Sequence, residues 1–218
     1  LIVESINNNL TGLEWGIGIP GTIGGAVVGN TGAFRKSIAD ALENAEVFDI
    51  ESSQTKNFNK EECRFIYRGS IFKEKPELII LKAVLKLEKG DAGKSTETIK
   101  EYLATRKDNV PSFPSAGSVF KNLEFKNQPV DFQKKMINEE KIKGGMVAVG
   151  YLIDQCGLKG KRSGNAQISE QHANLIVNLG GAKAEDVLRL INLCRESVKE
   201  KFNISLEEEI RHLGFNDH

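Results

Sequence analysis

The chain has 218 residues, enough for one large domain or two small ones, with 30 basic and 30 acidic residues and a formal net charge of zero. That balance is no footprint for nucleic acid, which needs clustered positive charge, and no apolar run approaches the ~20 residues of a bilayer-spanning helix. Cys63, Cys156 and Cys194 are too scattered for a disulfide framework or a zinc site, so no metal is expected and a reducing cytoplasm is the simplest compartment.

The most constrained stretch comes early. Gly16 to Phe34 (GIGIPGTIGGAVVGNTGAF) concentrates glycine, a residue that is costly in conformational entropy unless backbone must approach something closely. A phosphate cradled by N–H groups is the usual reason. Pro20 stiffens the loop before Gly21, Thr22 adds a hydroxyl, and Ile23, Ala26, Val27 and Val28 are expected to anchor the segment in a core. Asn30 and Gly32 punctuate a second turn. Gly16, Gly18 and Gly21 match G-x-G-x-x-G. However, only Leu13-Glu14-Trp15 precedes them, and Pro20 with Gly24 and Gly25 opposes a clean helix, so the dinucleotide fingerprint is disfavoured. The stretch lacks the Gly-Lys-Ser/Thr ending of a nucleotide-triphosphate loop. A structural glycine turn beneath a packed sheet is the alternative to a ligand loop.

Further along, 43–50 reads as a strand on Val47, Phe48 and Ile50, followed by a polar turn. Arg64 to Phe72 is a second strand candidate. Leu78 to Glu88 alternates Leu81, Ala83, Leu85 and Leu87 against polar positions, the period of a half-buried antiparallel strand. Ser95 to Lys107 reads as a helix with Ser95 as N-cap and with Ile99, Tyr102, Leu103 and Arg106 at helical spacing. The two-proline connector 109–114 marks a domain boundary. Beyond it, 118–122 is a short strand, 149–156 a helix stopped by Gly157, 160–165 a basic loop and 173–178 a buried strand. Ala184 to Phe202 is the clearest helix, with Val187, Leu190, Ile191, Cys194 and Val198 in one stripe. Ile204 to Leu213 closes the chain as a strand.

Four stretches could carry chemistry. In Cys63-Arg-Phe-Ile-Tyr67-Arg68-Gly69-Ser70, extended geometry would put Arg68 and Ser70 on one side, where a guanidinium fork could hold a carboxylate, although a surface ion pair is the commoner fate of such an arginine. In Pro114-Ser-Ala-Gly117-Ser118-Val-Phe120-Lys121-Asn122, alternation puts Ser118, Phe120 and Asn122 on one face, and the glycine leaves space for a ligand. Gly164-Asn-Ala-Gln-Ile-Ser169-Glu-Gln-His172 precedes the last helix; its histidine reads as a solvated or core residue. In Leu206-Glu207-Glu208-Glu209-Ile210-Arg211, Glu207, Glu209 and Arg211 point away from Leu206 and Ile210; a plain salt bridge is the default for such a run.

Together these strings, in this order, resemble the UDP-N-acetylenolpyruvoylglucosamine reductase family. The resemblance implies an α+β protein: the remaining part of an FAD-binding lobe with a mainly antiparallel sheet (1–108), a smaller α+β substrate lobe (109–205) and a C-terminal strand returning to the cleft (206–218). It implies that Gly18, Pro20, Gly21, Thr22, Ile23, Gly24, Gly25, Ala26, Asn30, Gly32, Ala33, Ser70 and Arg211 line FAD. Tyr67, Arg68, Lys121, Asn122 and His172 would contact the UDP-sugar. Catalysis would fall to Arg68 on the enolpyruvyl carboxylate, Ser118 as proton donor and Glu209. NADPH would serve as co-substrate, and UDP-N-acetylglucosamine enolpyruvate would become UDP-N-acetylmuramate for peptidoglycan. The family pattern Leu-Glu-Pro-Glu-Val-Arg has proline where Glu208 stands, and a second glycine where Asn165 stands. Nothing here matches the family's preceding glycine-serine-asparagine loop. The chain is therefore expected to be its larger C-terminal part, and a separate N-terminal FAD-domain chain is an expected partner. A UDP-sugar-binding remnant without catalysis, and another oxidase of the same FAD-binding superfamily, are the alternatives.

Overall fold

In the computed structural model, which describes residues 1–214, the strand Leu42–Asp49 centres the first of two compact units, Leu1–Arg106 and Lys107–His218. It lies between the antiparallel strands Gln54–Asn59 and Leu78–Leu85. Leu42, Ala45 and Val47 turn inward onto Leu13, Trp15, Val27, Ile38, Cys63, Ile71 and Phe72. Gln54–Asn59 escapes a reading of hydrophobic period because it is an edge strand with polar residues on both faces and only Phe58 half-buried.

The outer strand keeps its predicted place, and Ala83 and Leu85 keep the predicted face, but Leu81 does not. Glu46 faces Lys82 while Val47 faces Ile80, so Leu81 is an extra residue, a β-bulge. The bulge flips the alternation: Leu78 and Ile80 point to the core before it, Ala83 and Leu85 after it, and Leu81 is 55% exposed. Arg64 to Phe72 is not a strand. Arg64 and Arg68 adopt left-handed φ values of 47° and 56°, Ile66 and Gly69 close a tight turn on each other, and Ile71–Glu74 is a short helix.

The helix Ala92–Asn109 begins earlier than predicted because Asp91, not Ser95, caps it, its Oδ1 accepting from the N–H of Lys94 at 2.8 Å. Ser95 is buried and donates to Glu14 Oε1 at 2.6 Å; Thr11 Oγ1 donates to the same oxygen at 2.6 Å and the N–H of Gly12 to Oε2 at 2.9 Å. Burial pushes this carboxyl up, but the hydroxyls of Ser95 and Thr11 and the N–H bonds outweigh it and hold the pKa at about 2. Because the folded pKa lies below the ordinary 4.5, the ionised Glu14 stabilises the fold fully above that value and loses its contribution as pH falls toward 2. Glu14→Gln, which sets an amide NH2 against a backbone donor, is expected to cost about 2–3 kcal/mol in a denaturant titration at pH 7, with the difference from the parent vanishing near pH 2. An unchanged midpoint at pH 7 contradicts this.

The second unit holds two antiparallel sheets. One orders Ile142–Lys143, Met146–Val147 and Leu123–Glu124; the other orders Arg162–Ser163, Ala166–Ile168, Leu175–Asn178 and Ser115–Ser118. Val149–Gln155 and Ala184–Phe202 appear where predicted, with Gly157 at φ 70° ending the first and Asn203 at φ 55° ending the second. Val130–Asn138 is a further helix, within a stretch whose structure its polar sequence leaves open. Phe120, Met136, Leu152, Ile153, Ile168, Leu190 and Val198 pack as one core, which also buries Ile204 and Leu206. The final segment contributes a bridge at Glu208 rather than a continuous strand, and residues 215–218 lie outside the described residues. Among the described residues no helix is long and apolar enough to cross a membrane, and no group of His, Cys, Asp or Glu is placed to hold a metal.

Candidate functional site

The glycine stretch folds into a loop and a short helix, Ile23–Val28. Thr22 is its N-cap, its Oγ1 accepting from the N–H of Gly25 at 3.1 Å, so Gly24 and Gly25 sit in the first turn of a short helix where they are expected to oppose a clean one. Gly18 and Gly21 have φ of 73° and 135°, conformations that side-chain-bearing residues rarely adopt. A Cβ on Gly21 or Gly24 would meet nothing within 4 Å. Gly21 lines a cavity of about 550 Å³ whose walls also include Trp15, Pro20, Thr22, Gly25 and Ile38. Ile23 is not an anchor in the core: it is 39% exposed and lines the same cavity. An open, mostly apolar chamber beside the helix start has room for a large ligand.

The second turn is braced to the Tyr67-Arg68 turn. Asn30 is buried; its amide donates to the carbonyl of Ile66 at 2.8 Å and its Oδ1 accepts from the N–H of Ala39 at 3.3 Å. Arg68 donates from Nη2 to the carbonyl of Gly32 at 2.8 Å, and its guanidinium lies 5.1 Å from the Tyr67 ring centroid. Ser70 is buried and donates to the carbonyl of Val28 at 2.8 Å. Gly32 owes its identity to packing, because a Cβ there would lie 2.4 Å from the carbonyl oxygen of Lys36 across the hairpin that Ala33 shares. The structure thus gathers Asn30, Gly32, Arg68 and Ser70 into one hydrogen-bonded knot.

Arg106, a member of the helical stripe in the sequence, has a further role in this unit. Arg106 packs against Gly18, with its guanidinium 5.7 Å from the centre of the Phe34 ring, which also stacks on Tyr102 at 3.9 Å. Its Nε is buried without a hydrogen-bond partner among the described residues, and burial lowers the guanidinium pKa. Such a donor beside a glycine loop suits an acceptor on a bound group. The spacing of Tyr102 and Arg106, four residues apart, was the available signal.

In the second unit, Ser118 ends a bulged strand. Leu175 pairs with Ser118 and Val177 with Ser115, so the Ser118 strand carries one extra residue. Gly117, at φ 82° with open space around its missing Cβ, supplies the bend. Ser118 is exposed, whereas Val119 and Phe120 are both buried, so the expected alternation of Ser118, Phe120 and Asn122 on one face does not occur. Asn174 explains the change. Its carbonyl accepts from the N–H of Val119 at 2.8 Å, its Oδ1 accepts from the N–H of Phe120 at 3.0 Å and its Nδ2 donates to the carbonyl of Phe120 at 2.8 Å. A side-chain amide stands in for a strand ladder just past Ser118. Asn174→Ala leaves buried backbone groups unpaired, and a loss of about 2–3 kcal/mol is expected in denaturant titration. Retained stability would remove Asn174 from this role. Its sequence signal, one polar residue in an apolar strand, was visible but unspecific.

Lys121 is ion-paired with Glu207, and Asn122 Oδ1 accepts from the N–H of Val149 at 3.1 Å. His172 is half-buried; burial lowers its pKa, and its Nδ1 accepts from the N–H of Asn174 at 3.2 Å, which puts the neutral ring's proton on Nε2. The ring lies so close to Gly150 that a Cβ there would sit 3.1 Å from Cε1. Glu209 donates its N–H to the carbonyl of Val119 at 2.8 Å, placing it on the residue after Ser118; Arg211 is exposed. Arg68 belongs to the first unit and Ser118 and Glu209 to the second.

Comparison with known proteins decides the family. Residues 108–213 match the model of the UDP-N-acetylenolpyruvoylglucosamine reductase C-terminal domain. The crystal structure of such a reductase from Thermus caldophilus is similar with a TM-score of 0.75 and 36% identity, over 96% of this chain and 67% of that one. The chain belongs to the UDP-N-acetylenolpyruvoylglucosamine reductase family. Reductases of that name from Fervidobacterium nodosum and Caldicellulosiruptor bescii are 41% and 43% identical to it, over 96% and 94% of this chain. The chain spans 61% and 59% of the length of those two relatives. The family's α+β fold, with mainly antiparallel sheets, is the one found here.

Proposed function

We propose that this chain is the larger part of a reductase that converts UDP-N-acetylglucosamine enolpyruvate to UDP-N-acetylmuramate for peptidoglycan synthesis in the cytoplasm. The observation that carries the reading is the docking of Glu209 on Val119, next to a serine that a glycine bulge turns out of its sheet. FAD, reduced by NADPH, supplies the hydride when bound. The loop from Gly18 to Ala26 and the cavity it lines would hold it, with Asn30, Gly32, Ala33 and Ser70 shaping the adjoining turn and Arg211 contributing from the C-terminal segment; Arg106 adds a donor. Arg68 presents a planar fork to the enolpyruvyl carboxylate, with Tyr67 beside it. Arg68 would offset the negative charge that develops there, Ser118 would deliver a proton to the carbon next to the carboxylate, and Glu209, on the segment docked beside Ser118, would be the third catalytic group. Lys121, Asn122 and His172 border the sugar nucleotide. The partner this reading calls for is the upstream FAD-binding part, on the same or a separate chain.

The flavin absorbance spectrum tests it, taken on the chain alone and joined to the upstream segment of a relative, after mixing with FAD and removal of unbound cofactor. Retained flavin that NADPH bleaches and the UDP-sugar restores is the expected result. A colourless protein in both forms overturns it, and if that protein still binds the UDP-sugar, the chain is a nucleotide-sugar-binding module.

A further inference from the structure

Glu208, the residue before Glu209, lies opposite Phe120 in an antiparallel bridge whose two hydrogen bonds belong to its neighbours. Lys121 donates its N–H to the carbonyl of Glu207 at 2.9 Å, and Glu209 donates to the carbonyl of Val119 at 2.8 Å. The N–H of Glu208 is outside this ladder, which accounts for proline being acceptable at the same place in the family pattern. A proline would stiffen the segment by fixing φ. Glu208 instead has a carboxylate, with only 19% of its side chain exposed, that is held from two sides. Arg195 on the helix Ala184–Phe202 pairs with Oε1, and His212 Nε2 lies 2.5 Å from Oε2. Arg195 is itself steadied by Asn192, whose Oδ1 accepts from its Nη1 at 3.0 Å. Backbone bonds therefore fix the segment to the Ser118 strand, and the ion cluster ties it to the long helix.

We propose that Arg195, Glu208 and His212 form a positioning cluster that fixes the segment carrying Glu209 against the strand of Ser118. This rests on the reading of Glu209 as a catalytic residue; the cluster acts through the backbone on either side of it. Site-resolved amide exchange of the 218-residue chain is the first arm of the test. Arg195→Gln and Glu208→Gln are expected to speed exchange at the Glu209 and Lys121 amides about fivefold to tenfold, while Ile168 and Val177 in the neighbouring sheet keep their protection and so report an intact fold. The second arm is turnover in the chain joined to its upstream flavin part. There the same variants are expected to lower kcat by about the same factor with KM nearly unchanged, and the charge swap Arg195→Glu with Glu208→Arg to restore both readouts. Unchanged exchange at Glu209 overturns the proposal. So does faster exchange with unaltered kcat, because the cluster then only stabilises the chain terminus. If the parent enzyme itself turns nothing over, the reductase reading falls, and the exchange arm alone decides whether the cluster fixes the segment.

Discussion

Ser118→Ala is expected to slow the UDP-sugar half-reaction by roughly 10²-fold or more while leaving reduction of the bound flavin by NADPH near the parent rate. The asymmetry follows from the role proposed for the hydroxyl, since the NADPH half-reaction needs no proton on the substrate carbon. The structure adds a reason to expect a clean variant. Ser118 is exposed, its backbone pairing with Leu175 is untouched by the substitution, and the bend beside it belongs to Gly117. Stopped-flow absorbance separates the two half-reactions, in the chain joined to its upstream flavin part. Equal slowing of both would make Ser118 a cofactor-positioning residue. No slowing of either would make it an ordinary strand terminus.

Arg68→Lys is expected to fold and to lose about 10²-fold or more in turnover, because a point charge cannot reproduce bidentate carboxylate recognition. The guanidinium uses its shape here: one amine reaches the carbonyl of Gly32 while the group stays near the Tyr67 ring. Lysine tolerates the left-handed backbone at this position as well as arginine does. The stability cost should therefore stay near one hydrogen bond, about 1 kcal/mol. Steady-state turnover and a thermal melt on the same sample check both statements. Full turnover would remove Arg68 from the carboxylate, whereas a large loss of stability would make its bond to Gly32 its main role.

The strings that carry the candidate chemistry were legible as strings. Tyr67-Arg68-Gly69-Ser70, Ala116-Gly117-Ser118 and Glu207 to Arg211 sit on turns and strand ends, where local residue types govern the backbone. The conformation around them was less legible. An extended reading of 64–72 put Arg68 and Ser70 side by side, but two left-handed residues turn that chain back and send Ser70 into the core. Nothing in the order of residues announces that Asn30 holds the Ile66 carbonyl 36 positions away.

Local pattern by itself determined the long amphipathic helix Ala184–Phe202, the buried strand ending at Asn178 and the presence of a glycine loop that must approach something closely. These depend on interactions within a few residues: helical spacing, β-branched runs and the conformational range of glycine. Tertiary structure decided which face each strand buries, because a single bulge at Leu81 or Gly117 reverses a period-2 pattern while leaving composition unchanged. It also decided the partners of buried polar groups. Glu14 ionises inside a core because Ser95, 81 residues away, reaches it, and the backbone beyond Ser118 holds its course because an asparagine 54 residues away takes the place of a strand. Hydrogen bonds over such separations depend on where the chain returns in space, which one-dimensional periodicity does not encode.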